Sequence, residues 1–392
     1  MTDNQLCSHC VIDSTVPGAS FDGNGVCNYC AIHDALEKEW PQGAEGQGRL
    51  DLMIRDIKEQ GKNKPFDCVA GVSGGTDSTY MLYFARLHGL RPLVVHCDNG
   101  WDSEIAVHNI QKALSALNFE LQTYVIDWEE FKDICISFLK ASLPWADAPS
   151  DLAINSTLYR VAAREGLKYI LNGSSFRTEG KMPSEWTYVD GRMVKHIQKR
   201  FGKLPLKSFP NLTMLDFINY SVVRRIRILR PLNFVDYHKD KAREILQKEL
   251  GWQYYGGHHY ESIYTRFVYS YLLPVKFKID KRKITHSALV RSGEMSREEA
   301  LQSLREPPYA EGKVRDDVEY VRKKLGMSEA DFKSIMDLPP KSIRDYPSYY
   351  PIFEKYTPLM RLAFKIALPW TPPVFKELEA RRGKSQKNQE RG

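Results

Sequence analysis

Two constellations in this 392-residue chain could do chemistry. The first is Ser73-Gly74-Gly75-Thr76-Asp77-Ser78, which stands between an apolar run and a stretch with Met81, Leu82 and Ala85 on one face and Gly89 just past its end. That pattern predicts strand, tight loop and helix, half of a βαβ unit. The glycines let the backbone curl with no Cβ in the way. Successive N–H groups and the helix N-terminus then converge on one spot that favours an anion such as a phosphate. Asp77 would repel that phosphate unless a cation stands between them, and Mg²⁺ is the ordinary solution. The Walker spacing Gly-x₄-Gly-Lys-Ser/Thr is not what this loop follows, and at Gly383-Lys384-Ser385 the first glycine's place is held by Leu378.

The second constellation is Cys7-x₂-Cys10 and Cys27-x₂-Cys30. Two such knuckles read as a structural Zn²⁺ site of four thiolates, closed to substrate, that folds a segment too small for a core. His9 and His33 lie nearby as surplus, solvated side chains. Residues 41–48, rich in glycine, read as a linker.

Further elements are needed to position the loop. A strand ending at Asp98 and Asn99, a helix carrying Ala106, Ile110, Ala113, Leu114 and Leu117, and a strand over 119–126 follow. Helices over 128–141 and 151–165 lead to a strand over 168–172 that ends in Gly173 and Ser174. Strands alternating with helices at this rhythm predict an α/β fold with a doubly wound parallel sheet, its ligand lying across the carboxyl ends of the strands. Asp98, Asn99, Gly173 and Ser174 are therefore candidate nucleotide contacts, and turn formation without a ligand is the equal alternative for Asp98 and Asn99. Residues 177–211 lose periodicity and read as a long functional loop, with Arg177, Glu179 and Lys181 as substrate candidates. Residues 222–230 alternate arginine with aliphatics and read as an edge strand with a solvated face, in preference to a phosphate-binding row.

The loop at 73–78 matches every fixed position of the Ser-Gly-Gly-x-Asp-Ser signature and so resembles the PP-loop of the ATP pyrophosphatases. Three later blocks narrow the resemblance: residues 251–262 with Thr265-Arg266-Phe267, residues 273–282, and residues 292–301. With the paired cysteines they are similar to the WbpG/PseA-like N-acetyl sugar amidotransferases of bacterial surface-polysaccharide synthesis. Lys278 stands where that family usually has glycine. The resemblance implies a PP-loop (HUP-like) domain over 49–235 after a zinc knuckle and linker over 1–48, a mostly helical substrate or partner domain over 236–345, and an extension over 346–392 with a disordered basic tail. It implies ATP and Mg²⁺, with Ser73, Gly74, Gly75, Thr76, Asp77 and Ser78 around the nucleotide and Asp77 on the metal. Residues 359–368 read as a helix packed on the body, too short to span a bilayer.

The implied reaction adenylates the amide oxygen of an N-acetyl group on a nucleotide-activated sugar and replaces it with ammonia, giving an acetamidino sugar. For this chemistry Lys276, Lys281 and Arg282 are candidates to neutralise pyrophosphate or sugar phosphates, and His258 or Glu261 to take a proton from the amine. Position 2 is Thr, and Cys68, Cys97 and Cys135 are not placed as glutaminase nucleophiles, so a separate HisH-like glutaminase is expected, with a HisF-like ammonia-channel subunit as a further option. The competing reading is a tRNA-thiolating PP-loop enzyme; a regulatory nucleotide site on a scaffold is the non-enzymatic one. The net charge of +7 owes much to residues 379–392, so the body is too weakly basic to argue for nucleic acid. With neither a membrane span nor a signal-like opening, a cytoplasmic protein is expected.

Overall fold

The computed structural model describes residues 4–257, 259–359 and 362. Its centre is a parallel sheet of β1 (Cys68–Gly71), β2 (Pro92–Asp98), β3 (Leu121–Val125), β4 (Tyr169–Leu171) and β5 (Arg227–Leu229), in the order β3-β2-β1-β4-β5. All four pairings are parallel, from Val69 opposite Leu93 to Leu171 opposite Leu229. Side chains alternate across β1 with the period of a strand: Cys68 and Ala70 enter the apolar layer on one face, Val69 that on the other. Order reverses between β1 and β4, so the loops leaving their carboxyl ends border one crevice.

The helices are α1 (Asn28–Glu39), α2 (Gly43–Gly61), α3 (Thr76–Leu87), α4 (Glu104–Leu117), α5 (Trp128–Ala141), α6 (Ala148–Arg164), α7 (Phe176–Glu179), α8 (Ser184–Thr187), α9 (Gly191–Phe201), α10 (Met214–Ile218), α11 (Lys239–Leu250), α12 (Ile263–Phe267) and α13 (Arg282–Arg291), followed by short helices to Lys355. Residues of α2, α3, α4 and α11 cover one face of the sheet, and Leu158, Tyr159, Val161 and Ala162 of α6 cover the other. Caps set the ends of α4 and α5: Ser103 accepts from Ala106 N at 3.2 Å and Asp127 from Glu130 N at 2.9 Å, each contributing about 1 kcal/mol.

Four expectations are corrected here. The stretch 41–48 is not a linker: α2 begins at Gly43, and Leu50, Ile54 and Ile57 on its buried face anchor it to the sheet layer. Residues 177–211 are not one loop, because α9 starts at Asp190, which caps Arg192 N and Met193 N at 2.9 Å, and buries Met193, Val194 and Ile197. His33 is buried rather than solvated, edge-on to Phe176 at 5.2 Å, and burial, with Arg291 and Arg177 nearby, pushes its pKa down to about 3. Residues 222–230 form an edge strand only over β5; a π-helical turn over Asn219–Val223 precedes it. Among the described residues no helix is long and apolar enough to cross a membrane; the stretches 363–368 and 379–392 lie outside them.

Candidate functional site

The Ser-Gly-Gly loop leaves β1 and opens α3 at the crevice. Gly74 has φ +76°, and a Cβ there would run into the backbone of Ala106. Across the switch point, a Cβ on Gly173 would run into the Asp77 carbonyl. Only glycine permits both approaches. The Ser73 and Ser78 hydroxyls lie 3.1 Å apart, and Ser73 N donates to Ser78 Oγ at 3.2 Å. The loop is also held from residues 251–262, one of the blocks that carry the family resemblance: Trp252 Nε1 donates to Gly74 O at 2.9 Å, and Thr76 N donates to the Tyr255 hydroxyl at 3.1 Å. The glycine turn leading into a helix N-terminus suits a phosphate, with Ser73 N and Thr76 N already engaged by Ser78 and Tyr255.

A cleft of about 550 Å³ opens over the loop. It brings together Ser73, Gly75, Thr76, Asp77, Ser78, Asn99, Gly173, Ser174, Glu179, Glu261 and Lys281 from the sequence-derived candidates. Gly74 stands behind it, with its carbonyl taken by Trp252. Asp77 accepts from the Tyr237 hydroxyl, and Lys239 Nζ stands 3.0 Å from its other oxygen. Burial works against the Lys239 charge, but the Asp77 and Glu179 carboxylates outweigh it and hold the ammonium above its ordinary pKa. The cation that Asp77 requires is thus supplied in part by the chain itself. Arg243 also lines the cleft, and Arg230 Nε donates to Ser174 Oγ at 3.1 Å. Arg230 belongs to the arginine row over 222–230, whereas Lys239 and Arg243 were not singled out from sequence, because they sit on a helix whose surface charges look like any solvated face.

Glu261 hangs over the loop: a Cβ on Gly75 would lie 3.1 Å from its Oε1, while its Oε2 is buried with no hydrogen-bond partner. His96, also unanticipated, binds Val72 O at 3.0 Å and Asp102 Oδ2 at 3.1 Å. Burial opposes its protonation, yet Asp102 raises its pKa. Deeper along the cleft are Trp145, Asp147, Asp151, Tyr269 and Lys281. Burial and the neighbouring Asp151 push the Asp147 carboxyl up to about 7, and burial raises Asp151 as well. Solvent reaches Asp151 through the cleft although protein surrounds it at depth.

Several candidates are used elsewhere. Asp98 does not line the cleft and accepts from Gly100 N at 2.8 Å, the work of a turn former. Arg177 is buried and ties chain segments together, donating to Asn233 O at 2.7 Å and Trp40 O at 2.9 Å. Lys181 Nζ donates to Met182 O at 2.9 Å and lies outside the cleft lining. Lys276 is bound to the Ile335 carbonyl at a distance from the cleft. Arg282 forks onto Asp280 and donates to Ser303 O at 2.7 Å. Each of these charges is already matched by backbone or carboxylate, which is what a buried cation requires. His258 lies outside the described residues.

The four knuckle cysteines are buried and their sulfurs lie within 4.8 Å of one another. Cys10–Cys27, Cys27–Cys30 and Cys7–Cys30 are separated by 3.6, 3.7 and 3.9 Å. A tetrahedral ion with Zn–S bonds of about 2.3 Å sets sulfurs about 3.8 Å apart, so the set fits zinc. Backbone N–H groups of His9, Cys10 and Cys27 point at Cys7 Sγ at 3.2–3.4 Å. The knuckle docks on α13: Val11 N donates to Ser287 Oγ at 3.1 Å, Arg291 Nη2 to Cys10 Sγ at 3.4 Å, and Lys283 pairs with Asp13 at 2.6 Å.

Residues 261–360 match the family model of the LPS biosynthesis protein WbpG-like C-terminal domain, which bears out there the family resemblance read from sequence. No curated protein is significantly similar to the chain. Similar solved structures include the NH3-dependent NAD synthetase of Campylobacter jejuni subsp. jejuni NCTC 11168 in complex with nitrate, 12% identical over 72% of this chain and 97% of that one, with a TM-score of 0.28. Another is the NMN synthetase of Francisella tularensis, 12% identical over 72% of this chain and 97% of that one, with a TM-score of 0.35. Superpositions this loose carry no argument, and the fold rests on the sheet itself.

Proposed function

We propose that this chain, whose residues 261–360 match a WbpG-like C-terminal domain, is an ATP-dependent amidotransferase that forms AMP and pyrophosphate. Its substrate is the N-acetyl group of a nucleotide-activated sugar, and its product an acetamidino sugar for surface-polysaccharide synthesis. One observation carries the reading: the anion-binding loop and residues of the WbpG-like block, Glu261, Thr265, Tyr269 and Lys281, line a single cleft.

The amide oxygen attacks the α-phosphorus of ATP, the bond from that phosphorus to the bridging oxygen breaks, and pyrophosphate leaves. Ammonia then adds to the activated carbon, loses a proton, and AMP departs with the C–O electron pair. The loop N–H groups with Lys239 and Arg243 oppose the charge on the leaving pyrophosphate; one such donor is commonly worth about 10²–10³ in rate. Mg²⁺, held by Asp77 and Glu261, would add charge neutralisation there.

Ammonia is drawn from a separate glutaminase. Cys68, Cys97 and Cys135 are buried, and burial raises each thiol, Cys97 to about 12. None is poised as a nucleophile. The same property argues against tRNA thiolation by a catalytic cysteine.

The test is pyrophosphate release from ATP with ammonium and, in parallel, an N-acetylated nucleotide sugar, its de-acetylated analogue, or tRNA. Continuous release beyond one equivalent per enzyme, requiring both ammonium and the acetylated sugar, is expected. Release driven by tRNA, or indifferent to the acetyl group, would sink the reading.

A further inference from the structure

We propose that Lys281 is the catalytic proton acceptor for the incoming ammonia, and not a phosphate-binding cation. The inference rests on the amidotransferase reading above and names the group that completes its second half.

Lys281 immediately precedes α13 and is only 8% exposed. Helix α13 packs on α7, so closely that a Cβ on Gly180 would stand 2.8 Å from Ile284 Cγ2, and α7 directly follows β4 and Ser174. This docking brings Lys281 into the cleft that holds the loop. Its Nζ lies 3.5 Å from the Trp145 ring centroid and 3.9 Å from that of Tyr269, and donates to the Tyr269 hydroxyl at 2.5 Å. The charged groups acting on it are Asp147 and Asp151 at the start of α6 and Glu179 of α7, with His259 also near the two aspartates. A phosphate entering here would meet three acids and one amine. A neutral nucleophile that must shed a proton meets a suitable base.

Two opposed influences fit the amine to that task. Burial favours the neutral form and sets its pKa well below the ordinary lysine value. Once a proton arrives, two π faces and the nearby carboxylates are already in place around the new ammonium. In the step, the ammonia nitrogen bonds to the activated carbon and one N–H proton passes to the Nζ lone pair. The C–O bond to AMP then breaks with its electron pair on the departing oxygen. The carboxylate of Asp151, which solvent reaches, offers the proton its way out.

The two half-reactions separate this inference from the reading beneath it. Exchange of labelled pyrophosphate into ATP, with N-acetyl sugar and without ammonia, reports adenylation alone; if the wild-type enzyme shows none, the amidotransferase reading itself fails. Given exchange, Lys281→Met should keep it within about 3-fold while amidine formation from ammonium falls by about 10²-fold or more. Lys281→Arg, which keeps the charge but cannot accept a proton, should behave alike and decides the matter if the methionine variant does not fold. In the wild type, kcat at saturating free ammonia should fall at low pH through an ionisation below the lysine range, and that limb should be missing from both variants. Near-normal amidine formation by Lys281→Arg, loss of exchange equal to loss of amidine in either variant, or a wild-type kcat independent of pH would each overturn the assignment.

Discussion

On the loop side of the cleft the backbone does the positioning, whereas on the C-terminal side helices far apart in sequence carry the side chains that matter. Gly74 and Gly173 fix the loop because no Cβ fits at either place. On the other side, the placement of Lys281 depends on α13 being held between α7 and the cysteine knuckle. The first arrangement is steric, backbone against backbone. The second is long-range and electrostatic, so the two sides should fail in different ways.

The largest effect is expected from the knuckle. Protein purified without added zinc should carry about one Zn²⁺ per chain, and Cys10→Ser should lose it together with hydrogen-exchange protection in α13, while β1 and α3 stay protected. Equal loss of protection in both regions would abolish the contrast. On the steric side, Gly173→Ala should weaken ATP binding by about 10²-fold or more, because its methyl group meets the Asp77 carbonyl. Gly312→Ala, where nothing lies within 4 Å, is the control, read with a fluorescent nucleotide in the same titration.

The cations give a comparison within the cleft. Lys239→Met should lower pyrophosphate release by about 10²-fold, and Lys276→Met, whose ammonium is spent on the Ile335 carbonyl, should leave it within about 2-fold. The reverse pattern in steady-state assays would restore the sequence-based choice.

Asp147 supplies a pH signature of the buried side. Its carboxyl is raised from 3.8 to about 7 in the folded protein, so between those values the unfolded chain has released a proton that the folded one keeps. Its contribution to stability is therefore neutral below pH 3.8, grows more unfavourable up to pH 7 and is constant above. Asp147→Asn should remove that pH dependence, a change of about 4 kcal/mol across the window, measured by urea unfolding over the range; a steeper slope would contradict the burial. The smallest effect is expected at Lys278, which has φ +57° and ψ +33°, a left-handed conformation that explains why glycine is usual there. Lys278→Gly should stabilise by at most about 1 kcal/mol, visible as a small rise in Tm.

Much of the loop side was legible. A Ser-Gly-Gly turn between an apolar run and an amphipathic helix has few other conformations open to it, and cysteine pairs with two residues between them reach one ion by local geometry. Helix α9 was legible too, through Asp190 as cap and the spacing of Met193, Val194 and Ile197, but glycine and proline around it masked the period. Among the cations, type and abundance misled: Arg177, Lys276 and Arg282 look as available in sequence as Lys239, Arg243 and Arg230.

By itself, then, the sequence determined the anion loop, the two cysteine pairs and the alternation that makes a parallel sheet, since each is read from spacings within a turn or a strand period. Tertiary structure alone decided which charges face the cleft and which are absorbed by backbone carbonyls. It also set Lys281 among aromatic rings and carboxylates rather than phosphates. A charge's role depends on what surrounds it once water is displaced, and its neighbours here come from α6, α7 and the segments before α12 and α13, which only packing brings together.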